Sequence, residues 1–306
     1  MKILVVGDLH GRRPTIGFKD FDCIVAVGDF SSDKELKPLK DKWVRELESG
    51  NFEGGLDDFL VKKVGRGKLN EMTNRSLKEG RKILKYLDSF GKPVFIVGGN
   101  WDESYGKTRV KDMEKSDYNY SKGFLDFWLG DKMNPILVKG LKNIKNCMFH
   151  LWKFGGVNFV GYGLSSAPEN PVFRKKRKFS KAEKKKLKNA YEKIIKKLDS
   201  ESQRQRQNSP VVFITHNIPY NTKLDIVKLK NSRIHKKHLG STVARNFCLK
   251  KRPVLCVGGH IHEGCGKDKL GKTVVLNPGY GKDAQVLVDL DEVKGRIKKI
   301  KFFKSK

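Results

Sequence analysis

Five short apolar runs, each ending on a polar side chain, constrain this chain more than any other feature. Residues 3–6 lead into Gly7-Asp8-Leu9-His10-Gly11, and residues 22–27 into Gly28-Asp29-Phe30. Residues 94–97 lead into Gly98-Gly99-Asn100-Trp101-Asp102, and residues 211–214 into Thr215-His216-Asn217. Residues 253–257 lead into Gly258-Gly259-His260-Ile261-His262-Glu263. Short runs that are apolar throughout read as strands covered on both faces, so a sheet made of them needs layers above and below it. In open α/β sheets the strand ends carry the ligand chemistry. His260 and His262 are two apart, so in an extended segment they point the same way and their imidazoles converge. Such a pair suits a transition metal, although G-H-x-H alone also describes a turn with two solvated histidines.

The segments between the tips are less uniform. Residues 31–74 are charged and punctuated by Gly and Asn, with a helix within 34–47 that has Pro38 early in it. A firmer helix is expected over 75–90, where Leu77, Leu84, Leu87 and Phe90 share a face; Gly91 closes it and Pro93 opens the next strand. Phe124, Leu125, Phe127 and Trp128 suggest a short packed element. Residues 147–151 and 157–160 read as two strands joined around Gly155-Gly156. After the basic run 174–178, Ser180 and Glu183 form a capping box signature. Leu187, Tyr191, Ile194, Ile195 and Leu198 then mark one helical face, opposite a face of mostly lysine. The loop before Gly240 holds His235 and His238, and Ser241 caps a helix to about residue 251. Residues 273–276 form a strand before Asn277-Pro278-Gly279, and 284–289 with 297–303 alternate as a closing antiparallel pair. No internal repeat is visible. The expectation is one domain over 1–306, with charged insertions at about 31–74 and 165–209.

Charge and cysteine usage narrow the setting. Lys plus Arg is 65 against 34 Asp plus Glu, so the formal net charge is 65 − 34 = +31. Such an excess attracts anionic substrates and polyanions, or reflects a lysine-rich solvated surface. The basic helix 180–199 accordingly reads either as a nucleic-acid face or as a solvated one. The five cysteines form no C-x-x-C pair, which suits a reducing cytoplasm. The first apolar run is too short for a signal peptide, and nothing approaches the roughly 20 apolar residues of a membrane span, so no membrane partner is expected.

The polar tips in order are Asp8 and His10, Asp29, Asn100, His216, and His260 with His262. Carboxylate, imidazole and amide ligands suit Mn, Fe, Zn, Ni or Co. Seven ligands are too many for one ion with open positions. Two divalent ions sharing a carboxylate fit better, and two metals roughly 3.5–4 Å apart can clamp a phosphate and activate a hydroxide between them.

The ordered series G-D-x-H, G-D, G-N-x-D, T-H and G-H-x-H resembles the calcineurin-like metallophosphoesterase superfamily. The likeness spans residues 7–262 and extends to Leu276-Asn277-Pro278-Gly279, which is similar to the segment after the last motif in small prokaryotic members. It implies an α/β fold: a four-layer αββα sandwich of two mixed β-sheets flanked by helices. It also implies that Asp8, His10 and His262 bind one metal, that Asp29 bridges, and that Asn100, His216 and His260 bind the second. The activity implied is hydrolysis of phosphodiesters or phosphomonoesters, by in-line attack of a metal-bridging hydroxide on a phosphorylated small molecule or nucleotide. One departure stands out. Many members read G-N-H-E or G-N-H-D, where the His contacts the phosphate and assists the leaving group; here that position is Trp101. Trp101 either stacks on a nucleobase or walls the pocket, and Asp102 reads equally as a helix N-cap. Arg12 and Asn217, each beside a ligand, are candidate phosphate contacts, as Asn100 and Trp101 are by position. A nuclease, or a metal-stabilised scaffold that binds nucleic acid without turnover, are the alternatives.

Overall fold

A computed structural model describes residues 1–102, 133–163, 169–173, 179–204, 209–229 and 234–303. In chain order the strands and helices are β1 (Lys2–Val6), β2 (Cys23–Ala26), α1 (Lys37–Glu48), α2 (Leu56–Val64), α3 (Arg66–Asp88) and β3 (Val94–Ile96). Then come α4 (Pro135–Val138), β4 (Ile144–Asn146), β5 (Trp152–Phe154), β6 (Val157–Tyr162), α5 (Lys181–Gln203), β7 (Val211–Asn217) and α6 (Thr242–Lys251). The chain closes with β8 (Leu255–Gly259), β9 (Gly266–Leu270), β10 (Thr273–Asn277), β11 (Gln285–Asp291) and β12 (Arg296–Phe302).

The strands form two mixed six-stranded sheets, ordered β12-β11-β1-β2-β3-β4 and β5-β6-β7-β8-β10-β9. In the first, β1 to β4 run parallel and β11 and β12 are antiparallel. In the second, β6, β7, β8 and β10 run parallel, with antiparallel β5 and β9 at the edges. Period-two alternation assigns each strand's side chains to two cores. Ile3 and Val5 of β1 point between the sheets, with Val25, Phe95, Phe159, Ile214 and Val257. Leu4 and Val6 point the other way, onto Leu77, Leu84 and Leu87 of α3. Phe95 and Phe159 stack across the gap at 3.9 Å and 3°, one from each sheet. On the far side, Phe213 and Cys256 meet α5 and α6 through Leu187, Ile194, Leu198 and Phe247. The result is helix, sheet, sheet, helix. No described helix is long and apolar enough to cross a membrane.

Local signals explain most boundaries. Ser180 and Glu183 form the reciprocal capping box that starts α5, and the Ser241 hydroxyl accepts from Ala244 N–H to start α6. Two expectations need correction, and one strand was not anticipated. The helix expected over 75–90 begins at Arg66, because Leu69 and Met72 are buried in its first turns, where the surrounding polar residues hide the period. Residues 147–151 are not a strand. The hairpin is Trp152–Phe154 with Val157–Tyr162, turning at Gly155-Gly156, while Cys147 links the two sheets by donating to Ile96 O and accepting from Gly161 N–H. β9, Gly-Lys-Asp-Lys-Leu, has too little apolar content to announce itself and is held by its ladder with β10. The element expected around 124–128 and the basic run 174–178 lie outside the described residues.

α3 lies close to the segment after Asp29, and Gly80 makes that approach possible. A Cβ there would come within 2.9 Å of Ser31 N and of Leu137 Cδ2. Helix propensity alone would make Gly80→Ala stabilising by about 0.8–1.0 kcal/mol. Overpacking against backbone costs about 1–3 kcal/mol, so Gly80→Ala should be net destabilising by up to about 2 kcal/mol. A urea midpoint for Gly80→Ala above that of the parent protein would refute the close packing.

Candidate metal centre

The parallel strands of both sheets end on one rim, and the rim gathers the polar tips. Asp8 follows β1, Asp29 follows β2, Asn100 follows β3, His216 lies near the end of β7, and His260 and His262 follow β8. Two hydrogen bonds hold the sheets together here: His216 Nδ1 to Val27 O at 2.9 Å, and His260 N–H to the Asp8 carboxylate at 2.5 Å. His10, Asp29 and His260 have left-handed backbones, with φ of 46°, 52° and 66°. Non-glycine residues adopt this region at a cost of order 1–3 kcal/mol each, and such strain clusters at functional sites. The surroundings hold the turns in place: His10 N–H donates to Asp29 O at 2.7 Å and Gly11 N–H to Phe30 O at 2.9 Å. Gly259 has no side chain because Asp8 Oδ1 would lie 2.5 Å from its Cβ.

The expected ligands converge in two groups. Asp8, His10 and His262 offer donor atoms within 4.8 Å of one another, and so do Asp29, His216 and His260. Asn100 joins the second group, its Oδ1 3.0 Å from His216 Nε2. Asp29 Oδ2 lies between the groups, 3.3 Å from His10 Nε2 and 3.4 Å from His216 Nε2. Its other oxygen accepts the Trp101 N–H at 2.9 Å. Asp8 Oδ1, Asp29 Oδ2 and both His10 ring nitrogens are buried without a hydrogen-bond partner. An unsatisfied buried polar atom costs about 1–3 kcal/mol, so Asp8 Oδ1, Asp29 Oδ2 and His10 Nε2 gathered together describe ligands arranged for cations. Nitrogen and oxygen donors in this mixture fit divalent transition ions.

The two carboxylates are shifted in opposite directions. Asp8 is pushed well above the usual carboxylate range, first by burial and then by the charge of Asp29. Burial pushes Asp29 the same way, but His216, His10 and the Trp101 N–H overcome it and hold it below the usual range. Burial, then the neighbouring His10, lowers His262 to about 4. The surroundings thus favour the charged form of Asp29 and the protonated form of Asp8.

Several neighbours give no sign of their role in sequence. Asp33, buried, faces His10 Nδ1 at 3.4 Å and Arg12 at 3.6 Å. Tyr280, just past Asn277-Pro278-Gly279, stacks on His262 at 4.1 Å and 20°. Lys40 of α1 lies over the Trp101 ring. Arg12 is partly exposed, with its guanidinium over Tyr280 at 4.9 Å. Asn217 is fully buried, its amide donating to Leu239 O. The Asp102 carboxylate accepts from Gly99 N–H, Ser31 N–H and the Ser31 hydroxyl, which ties the β3 tip to the β2 tip; the segment it was expected to cap lies outside the described residues. His238 is held by Asp225 at 2.7 Å. A groove of about 540 Å³ opens beside His10, with Arg12, Lys34, Lys37 and Arg45 along it and Asp33 and Asp41 between them.

The chain is similar to known proteins in sequence and in fold. The profile of the calcineurin-like phosphoesterases matches residues 1–264. An uncharacterized protein of Methanocaldococcus jannaschii is 30% identical over 283 residues, covering 91% of this chain and 88% of its own. One crystal structure aligns over 99% of both chains with a TM-score of 0.57 at 15% identity, which shows a shared fold. The phosphopantetheinyl hydrolase of Mycobacterium tuberculosis aligns over 91% of this chain and 89% of its own, with a TM-score of 0.45 at 12% identity.

The opposed carboxylates have a measurable consequence. Because the folded Asp8 pKa is raised, its proton is present at acid pH and leaves only as pH climbs through the raised value. A cation at Asp8 must displace that proton. Mn²⁺ titrated calorimetrically into the metal-free protein, in buffers of different ionisation enthalpy, should release protons at mildly acid pH and progressively fewer as pH rises. Release that is flat with pH, or that grows with pH, would contradict the assignment.

Proposed function

This chain belongs to the calcineurin-like phosphoesterase family, metal-dependent hydrolases of phosphoric esters, and on that premise we propose that it cleaves phosphomonoesters or phosphodiesters at a pair of divalent ions. The observation that carries the reading is Asp29 Oδ2, buried, without a hydrogen-bond partner and within 3.4 Å of a histidine from each ligand group. Asp8, His10 and His262 hold one ion, Asn100, His216 and His260 hold the other, and Asp29 serves both. Two ions bound there supply Lewis acidity to the phosphate oxygens and an activated water for in-line attack on phosphorus.

The chain's own residues prepare that site. His216 Nδ1 faces an acceptor, Val27 O, so Nδ1 carries a proton and Nε2 is the nitrogen left for a cation. Nε2 and Asn100 Oδ1, 3.0 Å apart, are close enough to serve one ion. The Trp101 N–H fixes one oxygen of Asp29 and leaves the other turned to the centre. The mixed donors suit Mn, Fe, Zn, Ni or Co. The cations along the groove suit an anionic substrate, a phosphorylated small molecule or a nucleotide.

Removing metal with chelator and restoring Mn, Ni, Co, Zn or Mg singly tests the reading, with aryl phosphomonoesters and phosphodiesters as substrates. About two ions per chain should bind, and hydrolysis should need them. Asp29→Asn should impair both sites, and His216→Ala mainly one. Saturation at one ion, or hydrolysis that survives complete metal removal, would overturn the paired-ion reading.

One observation favours a nuclease as the second reading. α5 docks through Leu187, Ile194 and Leu198 and leaves Lys184, Lys185 and Lys188 exposed, which suits a phosphate backbone. Binding of single- or double-stranded nucleic acid should then weaken steeply with salt through counterion release. Charge reversal at those three lysines should weaken it further without changing hydrolysis of a small ester. No gel shift at low salt would leave this face merely solvated.

A further inference from the structure

Trp101 stands where the family resemblance places a histidine. Its indole offers one N–H donor, no acceptor and no positive charge. The structure brings a cation to the same place from another element. Lys40 Nζ of α1 lies 5.3 Å from the centroid of the Trp101 ring, on its face. The same indole is edge-on to His10, 6.1 Å between centroids, and its backbone N–H holds Asp29. Ammonium, indole and bridging carboxylate thus follow one another along a single wall of the metal centre.

Among the described residues the Lys40 ammonium makes no ion pair and no hydrogen bond; only the backbone N–H does, to Leu36 O. The acids near it are engaged elsewhere: Asp41 pairs with Lys37, and Asp33 faces His10 and Arg12. Burial lowers the Lys40 pKa, and Asp29 is the strongest of the charges that oppose the shift. Its charge is also felt at His262, in the other ligand group. Arg12 differs, because its guanidinium is shared between Asp33 and the Tyr280 ring. A half-buried ammonium on an indole face, without a counterion and beside a centre for anions, gains its missing partner when a phosphate arrives.

We propose that Lys40 is a catalytic residue, the cation that grips the phosphoryl group or its departing oxygen in place of the absent histidine. The proposal deepens the phosphoesterase reading and rests on it. Lys40 acts as a fixed charge. It donates hydrogen bonds to an oxygen whose negative charge grows as the ester bond breaks, and no proton is transferred. Trp101 is then a positioning residue, a platform that holds the ammonium over the centre. Removing one donor aimed at developing charge typically costs about 10²–10³ in kcat.

The test uses the full-length, metal-loaded protein and the variants Lys40→Met, Lys40→Arg and Trp101→Leu. Inorganic phosphate binding is measured by calorimetry, and kcat and KM over a series of aryl and alkyl phosphoesters of rising leaving-group pKa. Lys40→Met should keep the metal content of the parent, bind phosphate roughly tenfold more weakly or worse, and lose about 10²–10³ in kcat on alkyl esters. Its losses on esters with acidic leaving groups should be smaller, so its leaving-group dependence should be steeper. Lys40→Arg should retain most of the phosphate affinity, and Trp101→Leu should share part of the Lys40→Met defect. A parent enzyme that hydrolyses esters, with Lys40→Met matching it in phosphate affinity and leaving-group slope, overturns this inference alone. A parent that takes up no metal and cleaves no ester overturns the phosphoesterase reading and this inference with it. Lys40→Gln, read in the same way, decides the matter if Lys40→Met fails to fold.

Discussion

Asp8 and Asp29 are both fully buried where the two sheets meet, and the rim is arranged around their charge. Two carboxylates out of water repel each other and lose hydration. The protein resolves the conflict unevenly. Asp29 is compensated by His216, His10 and a backbone N–H, while Asp8 has one backbone donor, from His260, and otherwise faces burial and a like charge. A metal-free site of this kind is electrostatically frustrated, and divalent cations relieve both carboxylates at once. The left-handed backbones at His10, Asp29 and His260 belong to the same arrangement, since they turn donor atoms inward that relaxed strand ends would turn elsewhere.

The two-sheet architecture makes the convergence possible. Neither sheet holds a complete centre. The first supplies Asp8, His10, Asp29 and Asn100, and the second supplies His216, His260 and His262. Each three-residue ligand group combines residues from both. The packing between the sheets, with Phe95 on Phe159 at its middle, therefore bears on the spacing of the ligands as well as on stability. Close-packed interiors transmit small displacements, so the inter-sheet core and the metal centre form one mechanical unit.

Around that unit the chain has added cations. α1 and the segment before it place Lys34, Lys37, Lys40 and Arg45 on the side of His10 and Trp101. Asp33, from the same stretch, reaches back to His10 and Arg12. The positive excess of the whole chain attracts anions without selecting among them.

The ligand set was legible in the sequence, because each ligand follows a short apolar run and a strand end fixes its direction. Capping boxes, glycine stops and the order of strands and helices were legible for the same reason: their causes are local. The position of the first strand in the hairpin around Gly155-Gly156, the early start of α3 and the whole of β9 were not, since there pairing and burial override weak local patterns. The roles of Asp33, Tyr280 and Lys40 were invisible for a different reason. Each is an ordinary residue in a polar stretch, near one ligand in the chain and far from most others, and nothing in spacing marks which lysine of many faces inward. The sequence by itself determined which candidate ligands the chain offers and at which strand ends they sit, because hydrophobic period and turn chemistry act over a few residues. Only the tertiary structure decided which charges surround them, because electrostatics depends on distance in space and not along the chain.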